Sequence, residues 1–329
     1  MQLSPNQPKT EERDSYEVLQ GIMDDVKRFD CRMPVEVKDE DRNTIGTIPC
    51  RSPYIHTCPS CALRRRADLR TIALDGVINV DPECFIFVTL VPPGFETDEE
   101  LVAWNDRLVR YFENFIAGVR RRIGYVDYWK GVEFQRRGAG HIHALLRFDQ
   151  PLTKEEIEEL WQIIYTTRVR TVLGRSIGCG LPGGSNKARH EMIKPCTSEK
   201  SVRKALGYIL KSCHLRASDQ IPWNRFVELE DTSLRVLPTR RSRNNGAGAG
   251  YRGHLTTRSR GWTDLTLRAI RRMRSKAQLP NLRKTLAGAY FETRVAFGPE
   301  VVEVLASRLA VAQIQHIHSL RAQQEPDSG

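Results

Sequence analysis

The sequence predicts an α+β fold organised around an antiparallel sheet, and three observations carry that expectation. Cys84–Val91 (CFIFVTLV) is a β-branched and aromatic run closed by Pro92-Pro93-Gly94, the pattern of a buried strand and its stop. Tyr128–Gln135 and Gly140–Phe148 read as two more strands, and the short Gly-containing link Arg136-Arg137-Gly138-Ala139 makes them antiparallel neighbours. Helical segments fall between and around these strands, which with a hairpin at the centre favours an antiparallel sheet over a doubly wound parallel one.

The elements follow in chain order. Residues 1–30 are a polar segment whose opening dozen residues read as disordered, followed by a short amphipathic helix around Tyr16–Phe29. Residues 31–67 form a Cys-rich module of short extended pieces ending in a basic helix from Ala62. Residues 68–262 hold the strands. Within them, Thr97–Arg122 places Leu101, Trp104, Leu108, Tyr111, Phe112 and Phe115 at helical spacing, with acids in the first turn and arginines in the last. Thr153, with Glu155 and Glu156 ahead of Ile157 and Leu160, starts another helix. A Gly-rich loop at Gly174–Ser185 leads to a helix from Ser198 to about Ser212, and Arg240–Gly250 reads as a hinge. Residues 263–329 are a helical C-terminal region, with helices at about Leu265–Lys276 and Pro299–Leu320.

The chain has 329 residues, 40% of them hydrophobic, enough to bury a sizeable core. The polar, acidic start is unlike a signal peptide and no apolar run is long enough to span a bilayer, so the expected location is cytoplasmic. A net charge of +11 favours a polyanionic partner, nucleic acid ahead of an anionic membrane, with a merely solvated basic surface as the alternative. From Arg240 to Lys276, ten Arg and one Lys face a single acid, Asp264, with Tyr251, His254 and Trp262 interleaved, a composition able to grip phosphates and stack on bases.

His141 and His143 stand two apart in a strand and so share a face. Two imidazoles on one face suit either a metal site or hydrogen-bonded histidines. Across the hairpin, Glu133 and Gln135 share that face and either can supply a third ligand; two imidazoles and a carboxylate suit Mg²⁺ or Mn²⁺. On the helix from Ser198, Val202, Ala205, Leu206, Ile209 and Leu210 form an apolar stripe, while Lys204, Tyr208 and Lys211 fall on the opposite side. A tyrosine between two lysines is either a nucleophile whose phenolate the lysines favour or an exposed residue on a solvated face.

Cys31, Cys50, Cys58 and Cys61 lie in one stretch, the last pair as C-P-S-C, a spacing that favours structural Zn²⁺ over disulfides in a reducing compartment, with His56 able to replace one thiol. Cys84, Cys179, Cys196 and Cys213 lack such spacing and read as buried or incidental.

In order, CFIFVTLVPP, GVEFQRRGAGHIHALLRF and KALGYILKS resemble the three motifs of HUH endonucleases, the rolling-circle replication initiators and their relatives. The resemblance is closer still to initiators of actinobacterial plasmids and integrative elements, which share the cysteine module ending in CPSCA and a later segment similar to GYRGHLTTRSR (Gly250–Arg260). It covers roughly residues 30–275. It implies a five-stranded antiparallel sheet with flanking helices of the RNA-recognition type, and His141, His143 and Glu133 as metal ligands with Gln135 as substitute. It also implies Tyr208 as the nucleophile that becomes a 5′-phosphotyrosine and Lys211 as the residue that positions the scissile phosphate. Expected DNA contacts are Lys204, Arg136, Arg137, Arg252, His254, Arg258 and Arg260. Ser212-Cys213-His214 replaces the second tyrosine segment of close relatives, so termination needs another subunit's Tyr208 or another route. No ATP-binding motif accompanies these motifs, which argues against a fused helicase.

The expected activity is therefore nicking and joining of single-stranded or cruciform origin DNA, with a host helicase and polymerase as partners. Alternatives are a relaxase or transposase of the same chemistry, or a zinc-containing DNA-binding regulator whose His-x-His is structural.

Overall fold

The computed structural model describes residues 35–38, 42, 44–48, 59–180, 192–211, 220–237, 250–251, 256–275, 279 and 300–323. In chain order the elements are β1 (Val35–Lys38), β2 (Thr44–Ile48), α1 (Pro59–Asp75), β3 (Phe85–Leu90), α2 (Asp98–Arg122), β4 (Asp127–Phe134) and β5 (Gly140–Arg147). They continue with α3 (Lys154–Thr166), β6 (Arg168–Arg170), β7 (Ser176–Gly178), β8 (Ile193–Pro195), α4 (Glu199–Lys211), α5 (Trp223–Val236), β9 (Thr256–Arg258), α6 (Leu267–Ser275) and α7 (Glu300–Ala322). The chain divides into two compact units, Gly76–Asp264 and a second made from Met1–Asp75 with Leu265–Gly329.

The larger unit is α+β, with a five-stranded antiparallel sheet in the order β8-β3-β5-β4-β9. Strand β5 is central, paired with β3 on one side and β4 on the other, and the hairpin register sets Glu133 opposite His141 and Gly131 opposite His143. Alternation sends Ile86, Val88 and Leu90 of β3, Ile142, Ala144 and Leu146 of β5, and Val132 and Phe134 of β4 into one core. Helix α2 seals that core with Trp104, Leu108, Tyr111, Phe112 and Phe115, and α3 adds Leu160, Ile163 and Ile164. Both helices start as the sequence predicts. The Thr97 side chain accepts from Glu100 N–H at 3.3 Å, and Thr153 and Glu156 form a reciprocal capping box.

The hairpin turn is clamped from α2. Trp104 Nε1 donates to the Gly140 carbonyl at 2.9 Å, while Asn105 bonds both Gly138 O and Gly140 N at 2.9 Å. Gly138 has φ +95, and an added Cβ would lie 2.1 Å from Leu229 of α5, so both the backbone conformation and the space require glycine.

Three features of this unit lie outside the elements expected from the sequence: the outer strands, a small hairpin and helix α5. The two outer strands, β8 and β9, have three residues each, too short for a period. Within the expected Gly-rich loop 174–185, Ser176–Gly178 pairs with β6 as a small hairpin. Helix α5 is the third. Near β9, Ser259 Oγ donates to Asp127 at 2.7 Å and accepts from Tyr128 N–H at 2.9 Å, and Arg147 ties Asp127 to the carbonyls of Gly76, Gly261 and Trp262.

In the second unit, α1 packs along α7, with Thr71 donating to Gln313 at 2.7 Å, and Asp75 receives His318 and Arg321. The expected helices at 62–73, 265–276 and 299–320 all form. The N-terminal helix expected at Tyr16–Phe29 lies outside the described residues, as does the 240–249 part of the expected hinge. Among the described residues, no helix is long and apolar enough to cross a membrane.

Candidate metal centre and nucleophile

On the sheet face opposite the α2 core, β5 presents His141 and His143 and β4 presents Glu133. Their ligand atoms lie within 4.8 Å of one another, the one such group of His, Cys, Asp and Glu among the described residues. Glu133 Oε2 stands 3.6 Å from His141 Nε2 and 3.3 Å from His143 Nε2. The second approach is short but lacks hydrogen-bond geometry, for His143 Nε2 is buried with no hydrogen-bond partner, as is His141 Nδ1. A buried Nε2 of His143 left bare beside a carboxylate, with a second imidazole on the same face, is what a metal ligand set presents, so the residues fit a divalent cation.

The second ring nitrogen of His143 is occupied. Nδ1 is 3.1 Å from Thr89 Oγ1 of β3, the residue paired opposite His143 in the sheet. With Nδ1–H donated to that hydroxyl, the tautomer leaves the Nε2 lone pair facing Glu133. Phe87, two residues earlier on the same strand face, lies parallel to the His143 ring, with centroids 5.7 Å apart and 7° between planes. Burial and the neighbouring imidazole of His143 push the pKa of His141 down to about 4, only partly opposed by Glu133. His141 is thus neutral near pH 7, the form that a metal ligand requires.

Helix α4 crosses this face. Val202, Ala205, Leu206, Ile209 and Leu210 are buried, the stripe expected from the sequence. Gly131 makes the approach close, since an added Cβ would lie 2.8 Å from the Ile209 carbonyl oxygen. This contact sets Tyr208, the preceding residue, against the site. Its ring meets His143 edge to face at 4.7 Å and 83°, and Phe87 at 6.1 Å and 80°, while the residue stays 48% exposed. The nucleophile candidate therefore touches His143 of the candidate metal centre and stays half exposed. Its hydroxyl is raised above its ordinary pKa, first by burial and then by the Glu133 carboxylate. This is the reverse of the lowering expected from flanking lysines.

Gln135 does not join the cluster: its Oε1 accepts from Arg137 Nε at 2.7 Å, in the turn beyond the end of β4. Glu133 is thus the third ligand that the geometry supports. Of the expected DNA contacts, Lys204, Arg136 and Arg260 are exposed. Arg137 also donates to Pro93 O, and Arg258 donates to the carbonyls of Ser259 and Thr263, holding the turn at 260–262. Arg252 and His254 lie outside the described residues, as do Cys31, Cys50 and Cys58. Cys61 is buried in the first turn of α1, Lys211 closes α4, and Cys84 and Cys196 are buried. Sequence reasoning missed Thr89 and Phe87. Their signal was the parity of β3, which becomes useful only once β3 is known to neighbour β5.

Comparison with known protein families, curated proteins and solved structures finds no match for the chain.

Proposed function

We propose that the chain is a replication initiator, a metal-dependent, site-specific endonuclease and strand transferase of the HUH type that nicks single-stranded or cruciform origin DNA. The observation that carries this reading is the edge-to-face contact of Tyr208 with His143, which sets a half-exposed tyrosine against a histidine whose buried Nε2 is bare beside the Glu133 carboxylate. A core histidine pair has no use for that combination.

In this reading Tyr208 Oη attacks a phosphodiester phosphorus. The bond to the 3′ oxygen breaks, the released 3′-OH takes a proton, and the 5′ phosphate remains on Tyr208 as a phosphotyrosine. The tyrosine proton passes to solvent through the exposed side of the ring. Glu133, His141 and His143 would hold Mg²⁺ or Mn²⁺, which when bound neutralises non-bridging phosphate oxygens. In this reading Thr89 accepts the Nδ1–H of His143, Phe87 stacks on its ring, and Gly131 lets α4 bring Tyr208 down to the sheet. Lys211, three residues after Tyr208, is proposed to neutralise the scissile phosphate. Rolling-circle initiation with a host helicase and polymerase, and structural zinc at Cys31, Cys50, Cys58 and Cys61, complete the proposal and rest on the motifs and cysteine spacing.

The test is denaturing electrophoresis of the protein after incubation with Mn²⁺ or Mg²⁺ and single-stranded oligonucleotides tiling the DNA around its gene. A covalent adduct is expected for wild type and none for Tyr208→Phe. An adduct formed equally by Tyr208→Phe removes the nucleophile assignment. No adduct on any strand favours a zinc-containing regulator.

A further inference from the structure

Among the described large hydrophobic residues, Trp223 at the start of α5 is the most exposed, at 69%. The ring is nevertheless held, stacked on Phe226 at 5.8 Å and 21°, and Phe226 packs on the core below. Trp223 is thus a rigid aromatic plane turned to solvent.

The start of α5 is fastened to the hairpin that carries the metal ligands. Gln220 Oε1 accepts from Phe134 N–H at 2.8 Å, and Phe134 adjoins Glu133. Arg225 Nε donates to the Arg137 carbonyl at 3.1 Å while its other nitrogens bind Asp98. Ile221 and Leu229 close over Gly138. Trp223 follows Gln220 by three positions, a span of at most roughly 11 Å of chain.

The surroundings select the occupant. Arg136, at the hairpin tip, is exposed and forms no hydrogen bond or ion pair among the described residues. The first turn of α5 has no acid, and Pro222 at its cap supplies no side-chain hydrogen bond, so backbone N–H groups stay open to an anion. Glu228, Glu230 and Asp231 begin one turn later and repel a phosphate backbone running further along the helix. An exposed aromatic plane on a helix start that is hydrogen-bonded to the Arg136-Arg137 hairpin tip, with the carboxylates of Asp98 and Glu228 already held by Arg225, fits a single nucleobase and its phosphate.

We propose that Trp223 is a stacking platform for one base of single-stranded DNA next to the cleavage site, a subsite that rests on the nicking function above. The base lies on Trp223, and the adjoining phosphate is met by Arg136 and the start of α5.

Equilibrium binding of the full chain to fluorescein-labelled oligothymidylate, and to an abasic strand of equal length, tests this without divalent ion. Wild type should favour the strand with bases, and Trp223→Ala should weaken oligothymidylate binding roughly tenfold while barely changing abasic binding. Trp223→Phe should restore most of the loss and shows that the fold survives. The salt slope of binding should be unchanged in Trp223→Ala and shallower in Arg136→Ala. If wild type forms covalent adducts but Trp223→Ala binds oligothymidylate as tightly as wild type, the platform is overturned. Equal losses on both strands also overturn it. If no adduct forms yet Trp223→Ala loses only base-dependent binding, the nicking function falls and the platform stands.

Discussion

Alternate residues of β3, β4 and β5 build two faces that differ in what covers them. On one face Ile86, Val88, Leu90, Val132, Ile142, Ala144 and Leu146 are sealed beneath α2 and α3. On the other, Phe87, Thr89, Glu133, His141 and His143 lie at the edge of α4, a helix of 13 residues whose Tyr208 remains half open. A buried polar group demands a partner, and a sealed face supplies none from solvent. On the second face two buried imidazole nitrogens are bare, and that of His143 stands 3.3 Å from the Glu133 carboxylate. One face sets stability and the other sets chemistry, and substitutions should separate accordingly.

The widest separation is expected between His143→Ala and Leu146→Ala. His143→Ala should lower metal-dependent adduct formation by at least about 100-fold, a loss comparable with removing an electrostatic stabiliser. Leu146→Ala should cost about 3 kcal/mol of stability by leaving a cavity, with adduct formation retained in the folded fraction. Denaturant titration and adduct yield on the same samples check the pair. Equal loss of stability in both variants would erase the distinction between the faces.

Lys130 blurs that distinction, since it is a cation on the sealed face. Its Nζ lies 4.3 Å from the Phe112 ring, and burial lowers its pKa to about 8, with Glu113 opposing weakly. The sign follows from proton counting. Between pH 8 and the ordinary lysine value the unfolded chain binds a proton that the folded chain does not, so stability rises with pH through that window. The rise is worth roughly 3 kcal/mol if completed. Above about pH 10 the buried Tyr251, whose hydroxyl burial raises, acts oppositely and stability falls. Chemical denaturation from pH 7.5 to 9.5 should therefore show a more positive slope of stability with pH in wild type than in Lys130→Met, whose profile falls toward pH 9.5 because burial raises the thiols of Cys84, Cys179 and Cys196 above their unfolded values.

Gly131→Ala should act on both faces' currencies at once. The new Cβ meets the backbone oxygen of Ile209 at 2.8 Å, which cannot rotate away, so α4 must lift. Stability should fall by about 2 kcal/mol, in the range of overpacking, and adduct formation should fall with it because Tyr208 moves off His143. Gly94→Ala, where an added Cβ meets nothing within 4 Å, is the control.

The hairpin, its alternation and the alignment of Glu133 with the histidines were legible because a period of two and a short turn determine register locally. The apolar stripe of α4 was legible for the same kind of reason. The edge strands β8 and β9 were not, since three residues carry no period and only pairing with β3 and β4 makes them strands. Helix α5 was hidden by its own exposure. Trp223, Val227 and Leu234 lie outward while Phe226, Leu229 and Thr232 face inward, so exposed apolar residues blur an amphipathic pattern that the sequence does contain. For Tyr208, a helical wheel showed which way it leaves the helix but not that β5 runs below that shoulder.

The smallest expected effect belongs to Thr89, and it asks how far the site face depends on its own hydrogen bonds. Thr89→Val preserves shape and β-branching but removes the oxygen 3.1 Å from His143 Nδ1. His143 is then free to place its proton on either nitrogen, and the tautomer with a proton on Nε2 cannot bind a cation through it. Such supporting hydrogen bonds typically change metal affinity by 10-fold or more, so Mn²⁺ binding measured calorimetrically should weaken about tenfold, with stability altered by about 1 kcal/mol or less. Excess Mn²⁺ should restore adduct formation, because Tyr208, Phe87 and Glu133 remain in place. A Thr89→Val protein that binds Mn²⁺ as tightly as wild type would mean that stacking on Phe87 alone orients His143.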